Sequence, residues 1–251
     1  MNRAVAVVAG LDTSGGAGLA ADLRTAAALR VPCAAVLAAV AVQNAEGVHA
    51  VFPTPEGAFA AQLRSVPWKK TGACKLGMIY LPELLDLLLD ALPAGIPLVV
   101  DPVLGATAGG SLAVPGLEEA LVARAFPRAT LVTLNTDECA RLTEEDFSDL
   151  AAARGLAPRL AERLGTAVLL KGGHLGGAPI DVLAAGGRLY EFSGRRAKVP
   201  PRGTGCTLST AVAAYLALGE ELPAAVGLAR ELVNRAVAAA YPGPAGPVPA
   251  P

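Results

Sequence analysis

Short apolar runs alternate with longer segments of helical periodicity along most of this chain. Six runs predict buried strands, at 4–10, 33–43, 73–79, 97–103, 129–135 and 167–173. Helices are predicted from about Gly18 to Leu29, around Glu56 to Val66, over 82–92 and, as two helices, over 205–240. Strands that alternate with helices indicate an α/β fold, with a mainly parallel, doubly wound sheet and helices on both faces.

The last third of the chain adds two further features. The segment IDVLAAGGRLYEFSG (180–194) predicts a β-hairpin that turns at Gly186 and Gly187. No internal repeat or linker divides the sequence, so residues 1–240 are interpreted as one domain. The Pro-rich segment YPGPAGPVPAP (241–251) is expected to form a loose tail.

Polar residues cluster where the predicted strands end. They are Asp12, Gln43, Asn44, Asp101, Asn135, Glu138, Lys171 and His174. In open parallel sheets, ligands bind beyond the carboxyl ends of the strands. This clustering therefore predicts a functional site at that edge of the sheet.

Composition and charge narrow the choice of partners. The chain has 251 residues, 53% of them hydrophobic and 17% charged, with a net charge of −1, so nothing favours nucleic acid or an anionic membrane. No run of about 18 apolar residues suggests a membrane span. The amino-terminal apolar run is interpreted as a strand rather than a signal peptide, which predicts a cytoplasmic protein. The four cysteines include no C-x-x-C pair, which argues against a zinc site or a disulfide framework.

The segment RGTGCTLST (202–210) is typical of an anion site. Gly203 and Gly205 allow a sharp turn, and the following helix would direct free N–H groups and its positive end at a phosphate. An ordinary glycine-containing helix start is the alternative. In the first case the pKa of the Cys206 thiol should be lowered, so that Cys206 accepts a proton from a substrate hydroxyl or acts as a nucleophile.

Three other segments each permit two interpretations. The glycine-rich segment 12–22 could cradle a ligand or form a plain strand-to-helix turn. NTDE (135–138) could form a helix capping box or contact Mg²⁺ through water. Lys171 could bind a phosphate or extend to solvent.

The role of Gln43 also has two interpretations. It could pair with a flat heterocycle or cap a turn, and its spacing in the sequence does not decide.

Taken in order, seven segments of this sequence resemble the ribokinase superfamily, and most of all its hydroxymethylpyrimidine/phosphomethylpyrimidine kinase branch. They are AGLDTSGGAGLAADLRT (9–25), VQNAEGV (42–48), KLGM (75–78), VVDPV (99–103), NTDE (135–138), LLKGGH (169–174) and GTGCTLS (203–209). The resemblance implies a three-layer ribokinase-like fold. It also implies phosphorylation of a pyrimidine hydroxymethyl group, and of the resulting monophosphate, with ATP and Mg²⁺ in thiamine biosynthesis. A homodimer is expected as well.

The resemblance also assigns roles to residues. The implied catalytic group is Cys206 as general base, with Gly203, Thr204 and Gly205. The implied substrate-binding residues are Gln43, Asp22, Gly10, Met78 and Val103. Lys171, Asn135 and Thr207 are implied in nucleotide binding, and Asp101 and Glu138 in supporting Mg²⁺.

Several positions depart from the family pattern. Leu104 stands in place of a methionine, and Arg202 in place of a histidine. The loop GATAGGS (105–111) lacks the usual Ser/Lys and Asp, and the histidine that usually follows GPV (246–248) is missing. The altered loop and Arg202 leave open a catalytically weak pyrimidine-binding protein. A pyridoxal/pyridoxine kinase is a second alternative, because both substrates are flat heterocycles that bear hydroxymethyl groups.

Overall fold

A computed structural model of the protein describes residues 3–106, 109–175, 179–199 and 201–251. Its strands are β1 Ala4–Asp12, β2 Cys33–Asn44, β3 Gly47–Pro53, β4 Thr71–Leu76, β5 Leu98–Val100, β6 Leu131–Leu134, β7 Ala167–Leu170, β8 Ile180–Ala185, β9 Arg188–Ser193, β10 Tyr241–Gly243 and β11 Gly246–Val248. Its α-helices are α1 Gly18–Ala28, α2 Glu56–Ser65, α3 Pro82–Ala91, α4 Leu117–Ala120, α5 Thr136–Thr143, α6 Leu150–Leu164, α7 Thr204–Leu218 and α8 Leu222–Ala238. Short 3-10 or π segments lie at 68–70, 121–128 and 172–174.

Nine strands form one sheet in the order β3-β2-β1-β4-β5-β6-β7-β8-β9. The strands from β2 to β7 in that order pair in parallel, whereas β3, β8 and β9 pair antiparallel to their neighbours. Parallel strands need crossover connections, and the helices supply them. The predicted doubly wound α/β sheet is confirmed.

Side chains that alternate along the strands bury both faces of the sheet. On β1, Val8 packs into a core with Phe59 of α2, Leu88 of α3 and Leu160 of α6. Its neighbour Val7 belongs to the opposite core, which α1, α7 and α8 cover. Because both faces are buried, the strands read as nearly continuous apolar runs. The result is three layers.

Two parts of the structure differ from the prediction. β3 was not predicted; it pairs along the edge of the sheet with β2. The expected loose tail instead forms the β10–β11 hairpin, in which Val248 is buried and the N–H of Ala250 bonds the carbonyl of Ala236. Apolar contact and backbone pairing therefore hold this Pro-rich segment against the domain.

The predicted hairpin at 180–194 is confirmed, with Gly186 and Gly187 in the turn between β8 and β9. Within the described part of the chain, no helix combines the length and the apolar character that a bilayer crossing requires.

Candidate active site

A cleft of about 480 Å³ lies at the carboxyl ends of the parallel strands. Of the residues predicted for the site, its lining includes Gln43, Asp101, Val103, Asn135, Glu138, Lys171, Gly203, Thr204, Gly205 and Cys206. These residues come from strands, loops and the first turns of α5 and α7, and they run from Gln43 to Cys206 in the sequence. The sheet edge therefore gathers most of the predicted polar cluster into one place.

The amino end of α7 forms one wall of the cleft. Gly203 precedes the helix with a φ of +79°, and a Cβ there would lie 2.3 Å from the carbonyl oxygen of Gly16. The first helical bond runs from the N–H of Thr207 to the carbonyl of Gly203. The N–H groups of 204–206 precede that bond and belong to the unpaired first turn of the helix. This wall can hold an anion.

Cys206 does not behave as the sequence predicted. Its side chain is buried. Burial raises the pKa of the Cys206 thiol to about 11, although Lys75 and a hydrogen bond from the N–H of Gly18 act to lower it. The expected lowering of this pKa is therefore wrong, because desolvation of the thiolate outweighs the favourable contacts.

Lys171 stands opposite this wall and joins two carboxylates. Its Nζ lies 2.8 Å from Oδ1 of Asp101 and 3.1 Å from Oε2 of Glu138. Burial disfavours the ammonium, but the two carboxylates raise the pKa of Lys171. Lys171 is therefore cationic and does not extend to solvent.

Asp101 is held at both oxygens. Thr133 donates to Oδ1 at 2.7 Å, and Ser209 donates to Oδ2 at 3.0 Å. Burial alone would raise the pKa of Asp101, but Lys171 and Lys75 lower it to about 2. The carboxylate is therefore charged throughout the physiological range.

The capping-box interpretation of the NTDE segment is confirmed. Asn135 accepts the N–H of Glu138 at 2.8 Å, and Glu138 accepts the N–H of Asn135 at 2.9 Å, which makes a capping box. The same Glu138 carboxylate also contacts Lys171. Burial raises the pKa of Glu138, with Lys171 acting in the opposite direction.

Gln43 lies in the cleft lining and is largely buried. Thr13 fixes its backbone, since the hydroxyl accepts the N–H of Gln43 at 3.1 Å and lies 3.2 Å from its carbonyl oxygen. Among the described residues, Oε1 of Gln43 is buried without a hydrogen-bond partner. A buried acceptor of this kind favours a ligand that donates to it.

Four predicted residues lie outside the cleft lining. Asp22 is fully buried, with its carboxylate bound to Lys75 and Thr210. Met78 packs closely over Gly10 and belongs to an apolar cluster with Val103, beneath the cleft.

The fourth of these residues is Thr207, which donates its hydroxyl to the Gly203 carbonyl at 3.0 Å. These four residues support the walls. The side chain of His174, one of the polar residues at the predicted strand ends, lies outside the described part of the structure.

The sequence interpretation overlooked two charged pairs. Lys75 lies in the middle of a buried strand, which is itself a signal, because lysines are seldom fully buried without a partner. Asp181 and Arg230 both line the cleft, with Nε of Arg230 3.4 Å from Oδ2 of Asp181. The N–H of Gly172 donates to Asp181 at 2.9 Å, so this pair supports the turn that follows Lys171.

The arrangement suits transfer of an anionic group. Amide N–H groups and an ammonium face the same space, since a Cβ on Gly205 would lie 3.7 Å from Nζ of Lys171 and 3.9 Å from Oδ2 of Asp101. In the described residues, no cluster of three or more His, Cys, Asp or Glu side chains forms a metal cage. Fixed dipoles and cations in such a site stabilise charge that develops during a reaction.

Comparison with known proteins agrees with this geometry. A family model described as phosphomethylpyrimidine kinase matches residues 12–249. The hydroxymethylpyrimidine/phosphomethylpyrimidine kinase of Streptomyces coelicolor is 40% identical over 256 residues, which cover 97% of this chain and 93% of that protein. A thiamine biosynthesis bifunctional protein of Geobacter sulfurreducens is 38% identical over 244 residues, which cover 95% of this chain and 50% of that protein.

A solved structure extends the likeness to three dimensions. The pyridoxal kinase of Staphylococcus aureus in complex with AMP-PCP and pyridoxal has a TM-score of 0.87 and 28% identity, covering 100% of this chain and 94% of that one. It shares the fold but is less similar in sequence than the Streptomyces protein. The resemblance found in the motifs is confirmed: the chain belongs to the phosphomethylpyrimidine kinase family, and it is a kinase.

Proposed function

We propose that this kinase transfers the terminal phosphoryl group of ATP to the hydroxymethyl oxygen of 4-amino-5-hydroxymethyl-2-methylpyrimidine, and then a second one to the resulting monophosphate. The observation that carries the proposal is the convergence of the 203–206 amides and the Lys171 ammonium on one space in the cleft. Family membership supports a role in thiamine biosynthesis.

The nucleotide is assigned to the Lys171 side of the cleft. Lys171 would exchange part of its contact with Asp101 and Glu138 for the phosphates of ATP. The 203–205 loop would bind the transferred phosphoryl group through backbone N–H groups. A related kinase was solved with AMP-PCP, which supports a nucleotide here. Asn135 and Thr207 act indirectly, by holding the helix starts that form the walls.

The carboxylates of Asp101 and Glu138 fit a hydrated Mg²⁺. Each already has an oxygen in contact with Lys171, and Asp101 also accepts from Ser209. They would therefore hold the ion through its water molecules, in keeping with the tendency of Mg²⁺ to retain water. When bound, the ion supplies charge neutralisation on the phosphates.

The acceptor is assigned to the Gln43 side. The unpartnered Oε1 of Gln43 would accept from the amino group of the pyrimidine, while the amide N–H₂ would donate to a ring nitrogen. Val103 would pack on the ring, with Met78 beneath it. Asp22 and Gly10 shape this wall from behind.

Cys206 would lie beside the hydroxymethyl oxygen and take its proton as the phosphoryl group arrives. Since the pKa of the free thiol is raised to about 11, only a small fraction is thiolate at neutral pH. The base is needed late in such transfers, and positioning with charge neutralisation contributes most of the rate. We therefore assign Cys206 a base role whose strength rises with pH.

One experiment distinguishes the proposed activity from the two alternatives, a pyridoxal kinase and a pyrimidine-binding protein. ATP consumption by the purified protein, with Mg²⁺, is measured against hydroxymethylpyrimidine, its monophosphate and pyridoxal, and the products are identified by mass spectrometry. We expect higher kcat/KM for hydroxymethylpyrimidine than for pyridoxal, and a diphosphate product. Much faster turnover of pyridoxal would make the protein a pyridoxal kinase. Tight pyrimidine binding without ATP turnover would make it a binding protein.

We further infer a homodimer, as the family resemblance implies, and a cytoplasmic location, as the interpretation of the amino-terminal apolar run as a strand suggests. Light scattering of the purified protein would test the first point and fractionation of the source cells the second.

A further inference from the structure

We propose that Arg202 binds the phosphate of the monophosphorylated acceptor and so determines whether the second phosphoryl transfer occurs. The inference rests on the proposed function and names a specificity residue within it. Arg202 directly precedes the anion loop and lines the cleft beside Gln43.

The backbone of Arg202 is fixed from outside the cleft. Its N–H donates to the carbonyl of Pro247 in β11 at 2.9 Å. Its side chain also packs against the first glycine turn, since a Cβ on Gly16 would lie 3.3 Å from both Cβ and Nε of Arg202. The C-terminal hairpin therefore holds this arginine next to Gly203.

The guanidinium of Arg202 is buried but poorly satisfied. Its side chain is 10% exposed. One terminal nitrogen donates to the carbonyl of Asn44 at 3.1 Å, and the other lies 3.5 Å from Oδ2 of Asp12. Among the described residues, Nε is buried and has no hydrogen-bond partner. A guanidinium has five N–H donors, so capacity remains for a ligand.

Asp12 does not need Arg202 as its partner. Its Oδ1 accepts from the N–H and the hydroxyl of Ser14, at 2.8 and 2.7 Å. Its Oδ2 accepts from the N–H groups of Gly16 and Ala17, at 3.2 and 3.0 Å. Four donors already stabilise this carboxylate, so the long contact with Arg202 can be exchanged for a phosphate.

Two other cations of the described cleft lining, Lys171 and Arg141, have close carboxylate partners. Arg230 is as loosely paired as Arg202, since its Nε lies 3.4 Å from Oδ2 of Asp181 and is buried without a hydrogen-bond partner. The two arginines differ in place: Asp181, the partner of Arg230, holds the turn that follows Lys171 on the nucleotide side, whereas Arg202 contacts Asn44, next to Gln43. Arg202 is therefore the poorly paired cation of the acceptor side.

The two acceptors differ in the group that Arg202 would meet. A hydroxymethyl group is neutral, whereas its phosphate ester carries up to about two negative charges at neutral pH. A planar guanidinium can bind phosphate oxygens through two parallel N–H bonds, which an ammonium cannot reproduce. Arg202 should therefore favour the phosphorylated acceptor over the alcohol.

The test compares Arg202→Gln and Arg202→Lys with the wild type, using steady-state kinetics on both acceptors at saturating ATP. We expect Arg202→Gln to raise the ratio of KM for the monophosphate to KM for the alcohol by about tenfold or more, and Arg202→Lys to have an intermediate effect. The exposed Arg64→Gln is the matched control and should leave that ratio as in the wild type.

A second measurement separates binding from folding. Calorimetric titration of each folded variant with the monophosphate, without nucleotide, should show weakened binding for Arg202→Gln and not for Arg64→Gln. A merely structural role would weaken both acceptors alike and leave the KM ratio unchanged, which would overturn the inference. A wild type that phosphorylates the alcohol but not the monophosphate would also overturn it, whereas a wild type inactive on both would overturn the proposed function.

Discussion

Nζ of Lys75 lies 2.9 and 3.0 Å from the two carboxylate oxygens of Asp22, and neither side chain is exposed to solvent. Thr210 of α7 donates its hydroxyl to the same carboxylate at 2.7 Å. Burial raises the pKa of Asp22 and disfavours the Lys75 ammonium, whereas the attraction between the two groups raises the pKa of Lys75 and opposes the shift of Asp22. The short contacts to both Asp22 oxygens favour the ionised pair. This ion pair ties β4 to α1 and α7, the two helices that begin beside Cys206.

Breaking this ion pair on one side should destabilise the fold. Lys75→Met leaves the Asp22 carboxylate buried without its cation, and we expect a loss of about 3–5 kcal/mol in the free energy of unfolding. Urea denaturation followed by circular dichroism measures the loss. Because the penalty comes from the unpaired charge, adding Asp22→Leu should restore part of the stability.

An exposed ion pair is the control for that experiment. Arg154→Ala removes a surface pair with Glu191, which should change stability little. If Lys75→Met were as stable as the wild type, the ion pair would have no structural role.

Substitution of Gly205 by Ala should affect stability and turnover in opposite directions. Gly205 is the second residue of α7 and is not among the glycines with positive φ, so Ala fits its backbone and should stabilise the fold by about 0.4–1 kcal/mol through the unfolded chain. Its Cβ would lie in ordinary contact with Lys171 and Asp101, within the space assigned to the transferred phosphoryl group. We expect Gly205→Ala to keep or raise Tm while lowering kcat/KM at least about tenfold. An undiminished kcat/KM would place the phosphoryl group elsewhere.

The glycines on either side of α7 supply a matched pair of variants. Gly203 and Gly219 both have positive φ values, +79° and +98°. A Cβ on Gly203 would meet the Gly16 carbonyl at 2.3 Å, whereas no described heavy atom lies within 4 Å of one on Gly219. Gly203→Ala should therefore lower both Tm and activity, and Gly219→Ala should lower Tm alone.

The pH dependence of turnover tests the base. If the Cys206 thiolate takes the proton, kcat should rise about tenfold per pH unit from pH 7 until it levels near the thiol pKa of about 11. The predicted kcat increases with pH because the thiolate is the active form and its fraction increases as the pH approaches the pKa of the thiol. Cys206→Ala should lose about 10²–10⁴-fold in kcat and lose this slope.

Cys206→Ser is the size-matched control, and its hydroxyl should not restore the slope in this range. A wild-type kcat that is flat with pH, together with near-normal turnover of Cys206→Ala, would show that the thiol is not the base.

Local features of this fold could be predicted from the sequence because they depend on neighbouring residues. Apolar runs placed the strands of the sheet, and Gly186 and Gly187 marked a turn. The capping box of Asn135 and Glu138 was one of the two interpretations that their spacing allowed. β3 was missed because the two-residue turn at 45–46 that joins it to β2 lacks the Asn-Gly or Gly-Gly pair that marks such turns. The β10–β11 hairpin was missed because it is held by hydrogen bonds to Ala236 and Arg202, which only the fold brings near it.

The residues at the carboxyl edge of the sheet could be named from the sequence, because each apolar run ends at them and parallel strands place their carboxyl ends on one edge. The charge states and contacts of these residues follow from tertiary packing, which could not be read from the sequence. This packing buried Cys206 and raised its pKa, joined Lys75 to Asp22 across 53 residues, and left the guanidinium of Arg202 poorly paired beside the anion loop. Desolvation and Coulomb energies depend on distances through space, and one strand or helix alone does not define those distances.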